Sequence, residues 1–251
     1  MAYRIFLAGA SGAIGQRLVP QLLAAGHQVT GTTRSADKAV RLEVLGVEPV
    51  VVDVFDAKSL SRAMLAARPD IVVHQLTDLP AGLDPSRMAE AVVRNARIRE
   101  EGTRNLVAAA AAASVRRMVA QSIAWAYAPG PEPHAEADPL DGGASGNRGI
   151  SVGGVIALET AVLEAPFAGI ILRYGQLYGP GTGADTPAGR RRCMSMRPPM
   201  RRCLRWTRAC PASSTLPNPM RPSRRERRPR NSAGAPISAC PPESMRSETS
   251  T

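Results

Sequence analysis

The stretch "FLAGASGAIG" restricts the possible folds of this chain more than any other. A short apolar run, "YRIFLA" over residues 3–8, stops at Gly9, and glycine recurs at Gly12 and Gly15 before a Leu/Ala-rich segment begins. The G-x-x-G-x-x-G spacing between a strand and a helix has a physical reading. Gly9 permits a tight turn, Gly12 lets backbone approach a pyrophosphate, and Gly15 lets the helix close on the strand. The amides of Ser11, Ala13 and Ile14 stand at the helix N-terminus. There, unpaired N–H groups and the positive end of the peptide dipole favour phosphate.

The same alternation continues along the chain. Strands are expected near 3–8, 28–33, 48–53, 70–75, 116–122 and 169–174, and helices near 13–25, 35–45, 57–66, 86–113 and 153–165. The strands are continuously apolar rather than alternating, which suits a parallel sheet covered on both faces. The expected class is therefore α/β, a Rossmann-like doubly wound parallel sheet with helices on both faces. A polar Gly/Pro-rich loop is expected near 128–150, long enough to be functional or mobile.

The ends of the strands choose the cofactor. After the second strand come Thr33, Arg34 and Ser35, with Lys38 one helical turn on, where an NAD site usually carries an acid. A guanidinium suits a 2′-phosphate, so NADP is the expected cofactor and NAD the alternative. The third strand ends in Asp53 and Val54, placed to meet the adenine.

The stretches "GASGAIG", "VVVDVFD", "EGTRNLVAAA", "MVAQSIAWAY" and "LRYGQLYGPGTG" together resemble the NAD-dependent epimerase/dehydratase family, an extended branch of the short-chain dehydrogenases/reductases. The resemblance covers about residues 3–183. It implies that Gln75, Leu76 and Thr77 border the cofactor, with Tyr174 and Gly175 beside the nicotinamide and substrate. It implies a small-molecule substrate with a hydroxyl or carbonyl group, such as a sugar nucleotide. It also implies a catalytic Tyr and Lys four residues apart on one helix. If Glu159 aligns with the glutamate that follows that lysine, the two positions hold Ser151 and Val155, and neither can relay a proton. Ser122 fits the hydroxyl-donor position and is the one catalytic candidate. Tyr127 is a nearby aromatic, and Arg99 stands where many relatives have Asn. Catalysis is therefore expected to be impaired, with a non-catalytic NADP(H)-binding sensor or scaffold as the alternative.

Charge divides the chain. Residues 1–188 carry 17 basic and 18 acidic side chains, whereas residues 189–251 carry 15 Arg and 3 acids, so the net +11 belongs to the C-terminal part. That part has no Val, Phe or Tyr and holds all four cysteines (Cys193, Cys203, Cys210, Cys240), at spacings that match no zinc pattern. Two regions are expected: a dinucleotide-binding domain over 1–183 and a disordered Arg/Pro-rich tail over 184–251. Codons can be chosen for which "CMSMRPPMRR" and "PASSTLPNPM", read one frame over, spell "HVDAAADAA" and "GIFNIAEPN". Both are family-like segments in the family's order, so the tail reads as a frameshifted substrate-capping region. A nucleic-acid partner through this basic tail is the weaker alternative. No apolar stretch reaches membrane-spanning length, and a cytoplasmic protein is expected. The sequence allows a homo-oligomer without specifying one.

Overall fold

Six short apolar runs pair in parallel because each returns through a helix. The structure, a computed structural model, describes residues 1–184 and the backbone of residues 192–194. β1 (Arg4–Ala8), β2 (Gln28–Thr33), β3 (Glu48–Val51), β4 (Ile71–His74), β5 (Arg117–Ile123) and β6 (Ala168–Tyr174) form one sheet in the order β3-β2-β1-β4-β5-β6. Every ladder is parallel. The order reverses between β1 and β4, which opens a crevice at the carboxyl ends of the strands.

Helices α1 (Gly15–Ala24), α2 (Ala36–Val44), α3 (Ala57–Ala67), α4 (Met88–Arg97), α5 (Thr103–Ala112) and α6 (Gly146–Leu163) connect the strands. Two begin with a side-chain cap: Ser35 accepts from the Lys38 amide and Asp56 from the Ser59 amide. The largest cluster of the core joins Phe6, Leu60, Met64, Leu106, Met118 and Leu158, all fully buried. Burying such side chains supplies roughly 1.5–3 kcal/mol each.

Three segments depart from the sequence expectation. The helix expected over 86–113 is interrupted: α4 and α5 are joined by one π-helical turn, Ile98–Gly102. The last helix starts at Gly146 rather than near 153, although "GNRGISVGG" is a poor helix former. Tertiary contacts decide it, because Arg148 on the first turn pairs with Asp141 at 2.7 Å and donates to the carbonyls of Trp125 and Tyr127, each at 3.0 Å. The long loop is correspondingly shorter, and it is pinned by a bridge between Tyr127 and Leu140.

The third departure is a small parallel pair, β7 (Gln176–Tyr178) with β8 (Arg192–Met194). β8 falls inside the segment expected as a tail, and its three residues pair with β7 through the backbone. Composition could not reveal this, because a ladder is made by backbone groups. The remainder of that expectation, from 185 onward, including the frameshift reading and the tail cysteines, lies outside the described residues.

Candidate functional site

The turn after β1 is built as the glycines dictate. Gly9 has φ +90°, and a Cβ there would lie 2.8 Å from the Gln75 carbonyl oxygen. A Cβ on Gly15 would run into the carbonyls of Gly9 and Ala10, so only glycine lets α1 start this close to β1. The Gly9 amide donates to Thr32 Oγ1 at 3.3 Å and the Gly12 amide to the Gly9 carbonyl at 3.1 Å. Ser11 Oγ and Thr33 Oγ1 are 3.3 Å apart, which ties the turn to the end of β2.

This turn forms one wall of a cleft of about 310 Å³ at the switch point. Eleven of the sequence-expected cofactor residues line it: Gly9, Ser11, Gly12, Thr33, Arg34, Lys38, Asp53, Val54, Gln75, Leu76 and Thr77. Ala13 and Ile14 lie in the turn and Gly15 opens α1, and none of these, nor Gly175, is among the lining residues. Tyr174 reaches the wall indirectly, through Gln75 Nε2, 3.5 Å from its hydroxyl. Sequence reasoning did not single out Phe55, which lines the cleft and carries the Arg97 guanidinium 4.0 Å above its ring. An aromatic two residues after the strand-end acid was the available signal.

Within the cleft the polar groups are unequally committed. Asp53 accepts from the Phe55 amide at 2.9 Å, and Ser35 is held by Thr33 Oγ1 at 3.2 Å. The Arg34 side chain is 58% exposed and lies 3.8 Å from Asp78, a carboxylate that Arg94 approaches more closely, at 3.3 Å. The Gln75 amide oxygen is buried and has no hydrogen-bond partner among the described residues. An orphaned acceptor at the wall and a turn that a Cβ would fill are what a dinucleotide needs, so the residues present fit that group.

Two residues position the 75–78 loop. His74 is buried: its Nδ1 accepts from the Leu76 amide at 3.2 Å, so its Nε2 carries the proton toward Thr103 Oγ1 at 3.0 Å. Burial, with the Arg99 charge adding to it, pushes the pKa of His74 down to about 4, and the ring is neutral. Asn95 on α4 then accepts from the Asp78 amide and donates back to the Asp78 carbonyl, each at 3.0 Å.

The expected catalytic region is organised differently. Ser122 is 1% exposed and donates to Glu159 Oε1 at 2.6 Å. Glu159 is also held by Arg173, whose Nη2 lies 2.7 Å from Oε2. The hydrogen bond to Glu159, and to a lesser degree Tyr127, raises the Arg173 pKa above its ordinary value. Tyr127 lies under the Arg173 guanidinium at 4.7 Å and stacks on His134 at 4.6 Å. Ser151 is buried, and Val155 packs with Ile123, Ala126 and Val152 in an apolar cluster. Ser122 is not among the residues that line the cleft.

A parallel sheet in this order, with a glycine turn at the switch point, defines a Rossmann-like dinucleotide-binding domain. The chain belongs to the NAD(P)H-binding family, whose profile matches residues 9–143. It is 46% identical over 188 residues to the 3-diazoavenalumate denitrifying reductase of a Streptomyces species, covering 74% of this chain and 60% of that protein. Among solved structures it is similar to the Bordetella bronchiseptica enzyme WbmG in complex with NAD and UDP, with 25% identity and TM-score 0.58 over 72% of this chain and 55% of that one. The UDP-glucose 4-epimerase of Thermotoga maritima with UDP-glucose shares the fold at 20% identity and TM-score 0.58, over 72% of this chain and 57% of that one. The chain thus spans 60% of the length of the reductase it matches. Its structural neighbours lie in the epimerase and short-chain dehydrogenase/reductase superfamily, as the sequence motifs suggest. Among the described residues, no helix is long and apolar enough to cross a membrane.

Proposed function

We propose that this chain is the cofactor-binding portion of an NADP(H)-dependent reductase whose substrate accepts hydride without help from a protein acid. The observation that carries this reading is the buried face of α6, where Ser151 and the apolar-packed Val155 stand at the positions of the expected relay. Reducing a ketone leaves an alkoxide that must take up a proton, and epimerising a sugar requires a base for its hydroxyl. Substrates of both kinds, sugar nucleotides included, are therefore the less favoured class. Of the expected relay only Ser122 is present, and its proton is committed to Glu159.

A cationic diazo group makes no such demand. The dinucleotide, when bound, supplies hydride: two electrons and one hydrogen replace the diazo group, the carbon–nitrogen bond breaks, N₂ leaves, and the balance closes without a proton donor. A diazo carboxylate is the substrate class named for the reductase relative, which supports the choice. The turn from Gly9 to Gly15 would hold the pyrophosphate, and Asp53 with Val54 the adenine. Gln75, Leu76 and Thr77 would border the cofactor, and Tyr174 and Gly175 the nicotinamide. Thr33, Arg34, Ser35 and Lys38 favour NADP over NAD, because the cations suit a 2′-phosphate. A domain over 1–183 with a frameshifted capping region beyond it, acting in the cytoplasm, completes this reading.

The test is oxidation of NADPH by the full chain with 4-carboxybenzenediazonium, followed at 340 nm with benzoate and N₂ as products. A Gly9→Val variant serves as the background control. Turnover above that background is expected, and none would overturn the reading. The apolar setting of Val155 also favours a second reading, a sensor or scaffold that binds NADP(H) without turnover. Tight NADPH binding with no oxidation across diazonium, ketone and sugar-nucleotide panels would decide for it.

A further inference from the structure

The π-helical turn between α4 and α5 carries a cation that nothing in the cofactor reading uses. Arg99 lies on this turn, half-buried, facing α6. Its Nη1 donates to the Ser151 carbonyl at 3.4 Å, a long bond to a neutral acceptor. Burial holds its pKa below the ordinary arginine value.

The surrounding carboxylates are engaged elsewhere. Glu101, on the same turn, pairs with Arg97 at 2.8 Å. Glu100 is exposed. Glu159, the buried acid of α6, is held by Arg173 and Ser122. Asp78 belongs to Arg94 and Arg34. Among the described residues, Arg99 has no ion-pair partner, although the other buried or half-buried charges near it do. A charge withheld from water without a counter-ion is costly, and a ligand anion removes that cost.

The position of Arg99 indicates which ligand. Its backbone neighbour Ile98 lines the dinucleotide cleft. Its charge acts on His74, at the foot of the 75–77 loop that forms the cleft wall. Its hydrogen-bond partner Ser151 stands where the resemblance puts the substrate-facing tyrosine. Arg99 is itself not among the residues lining the cleft, and the resemblance puts it toward the substrate end, away from the glycine turn that would take the pyrophosphate.

We propose that Arg99 is the anchor for a carboxylate of the substrate, gripping it through its planar fork of N–H donors. This deepens the reductase reading and rests on it: the hydride acceptor carries an anionic tail, and Arg99 holds that tail so that the reactive end faces the cofactor.

The test uses the full chain saturated with NADP⁺ and titrated by calorimetry with cinnamate and with its neutral methyl ester. The wild type is expected to prefer cinnamate by about tenfold or more. Arg99→Met is expected to abolish that preference, and Arg99→Lys to restore part of it. NADP⁺ affinity and melting temperature should stay near the wild-type values in both variants. Equal binding of the two probes by the wild type overturns the proposal, as does failure of cinnamate to bind at millimolar concentration or a preference that survives in Arg99→Met. Because the first comparison needs no variant, a folding defect cannot shield the proposal. Failure of the reductase reading looks different: cinnamate preference would persist through Arg99 while 4-carboxybenzenediazonium is not reduced.

Discussion

Ser122 Oγ lies 2.6 Å from Oε1 of Glu159, and both groups are buried between β5 and α6. Arg173 on β6 grips the same carboxylate through two nitrogens, at 3.0 and 2.7 Å, so three consecutive elements are joined around one acid. Removing the hydroxyl in Ser122→Ala deprives Glu159 of one of these donors. A loss of about 1–3 kcal/mol in urea unfolding is expected, with NADPH affinity within twofold of wild type. A fall in turnover of a hundredfold or more with stability unchanged would instead mark Ser122 as the proton donor.

His74 ties stability to acid. Its folded pKa is lowered from 6.5 to about 4, so between those values the unfolded chain takes up a proton that the folded one refuses. The contribution is complete above pH 6.5, declines as pH falls toward 4, and amounts to roughly 3 kcal/mol. His27 is also lowered, by burial and then by the N-terminal charge, and acts in the same direction. Urea unfolding at pH 7.5 and pH 4.5 measures the sum. In His74→Asn, which keeps an acceptor for the Leu76 amide, the difference should shrink by more than half.

Arg34 should set cofactor preference. Its side chain is exposed and only loosely paired with Asp78 at 3.8 Å, so a 2′-phosphate would meet a free-moving guanidinium. Arg34→Ala should weaken NADPH binding roughly tenfold in fluorescence titration and leave NADH binding nearly unchanged. Equal loss for both dinucleotides would remove the NADP assignment.

Gly9 and Gly26 separate strain from crowding. Both have positive φ, +90° and +82°, but a Cβ on Gly9 would press on the Gln75 backbone while one on Gly26 meets nothing within 4 Å. Gly26→Ala should cost about 1 kcal/mol of stability and leave NADPH binding intact. Gly9→Ala should cost about 1–3 kcal/mol and reduce binding by more than tenfold, because the cleft wall must shift.

The parts of the fold that could be read from sequence are those governed by local patterns. "FLAGASGAIG" specified a strand, a turn and a helix because each glycine answers a contact made within a few residues or across one strand. The ends of β2, β3 and β4 follow from apolar runs meeting polar residues, which put Thr33, Asp53 and Gln75 at one edge of the sheet. What stayed hidden depends on partners far along the chain. Arg148 secures the start of α6 through Asp141 and two carbonyls, and nothing in "GNRGISVGG" reports that. Ser122 looked available because its acceptor, Glu159, is 37 residues away. The solitude of Arg99 was equally unreadable, since it depends on where four other acids turn.

The π turn at Ile98–Gly102 has a consequence for how this region can change. An α-helix rotates about 100° per residue, and a π turn absorbs one extra residue in its wider winding, so the helix faces on either side keep their phase. Here α4 packs on α6 and α5 chiefly on α3, with Leu106 in the cluster around Leu60 and Met64. Deleting a single residue between 98 and 102 would tighten the turn to α-helix and leave Leu106 in that cluster, while the residues of the turn itself, Arg99 among them, change their aim. Arg99 can therefore be re-aimed without repacking the core, and substrate contact is free to evolve apart from it.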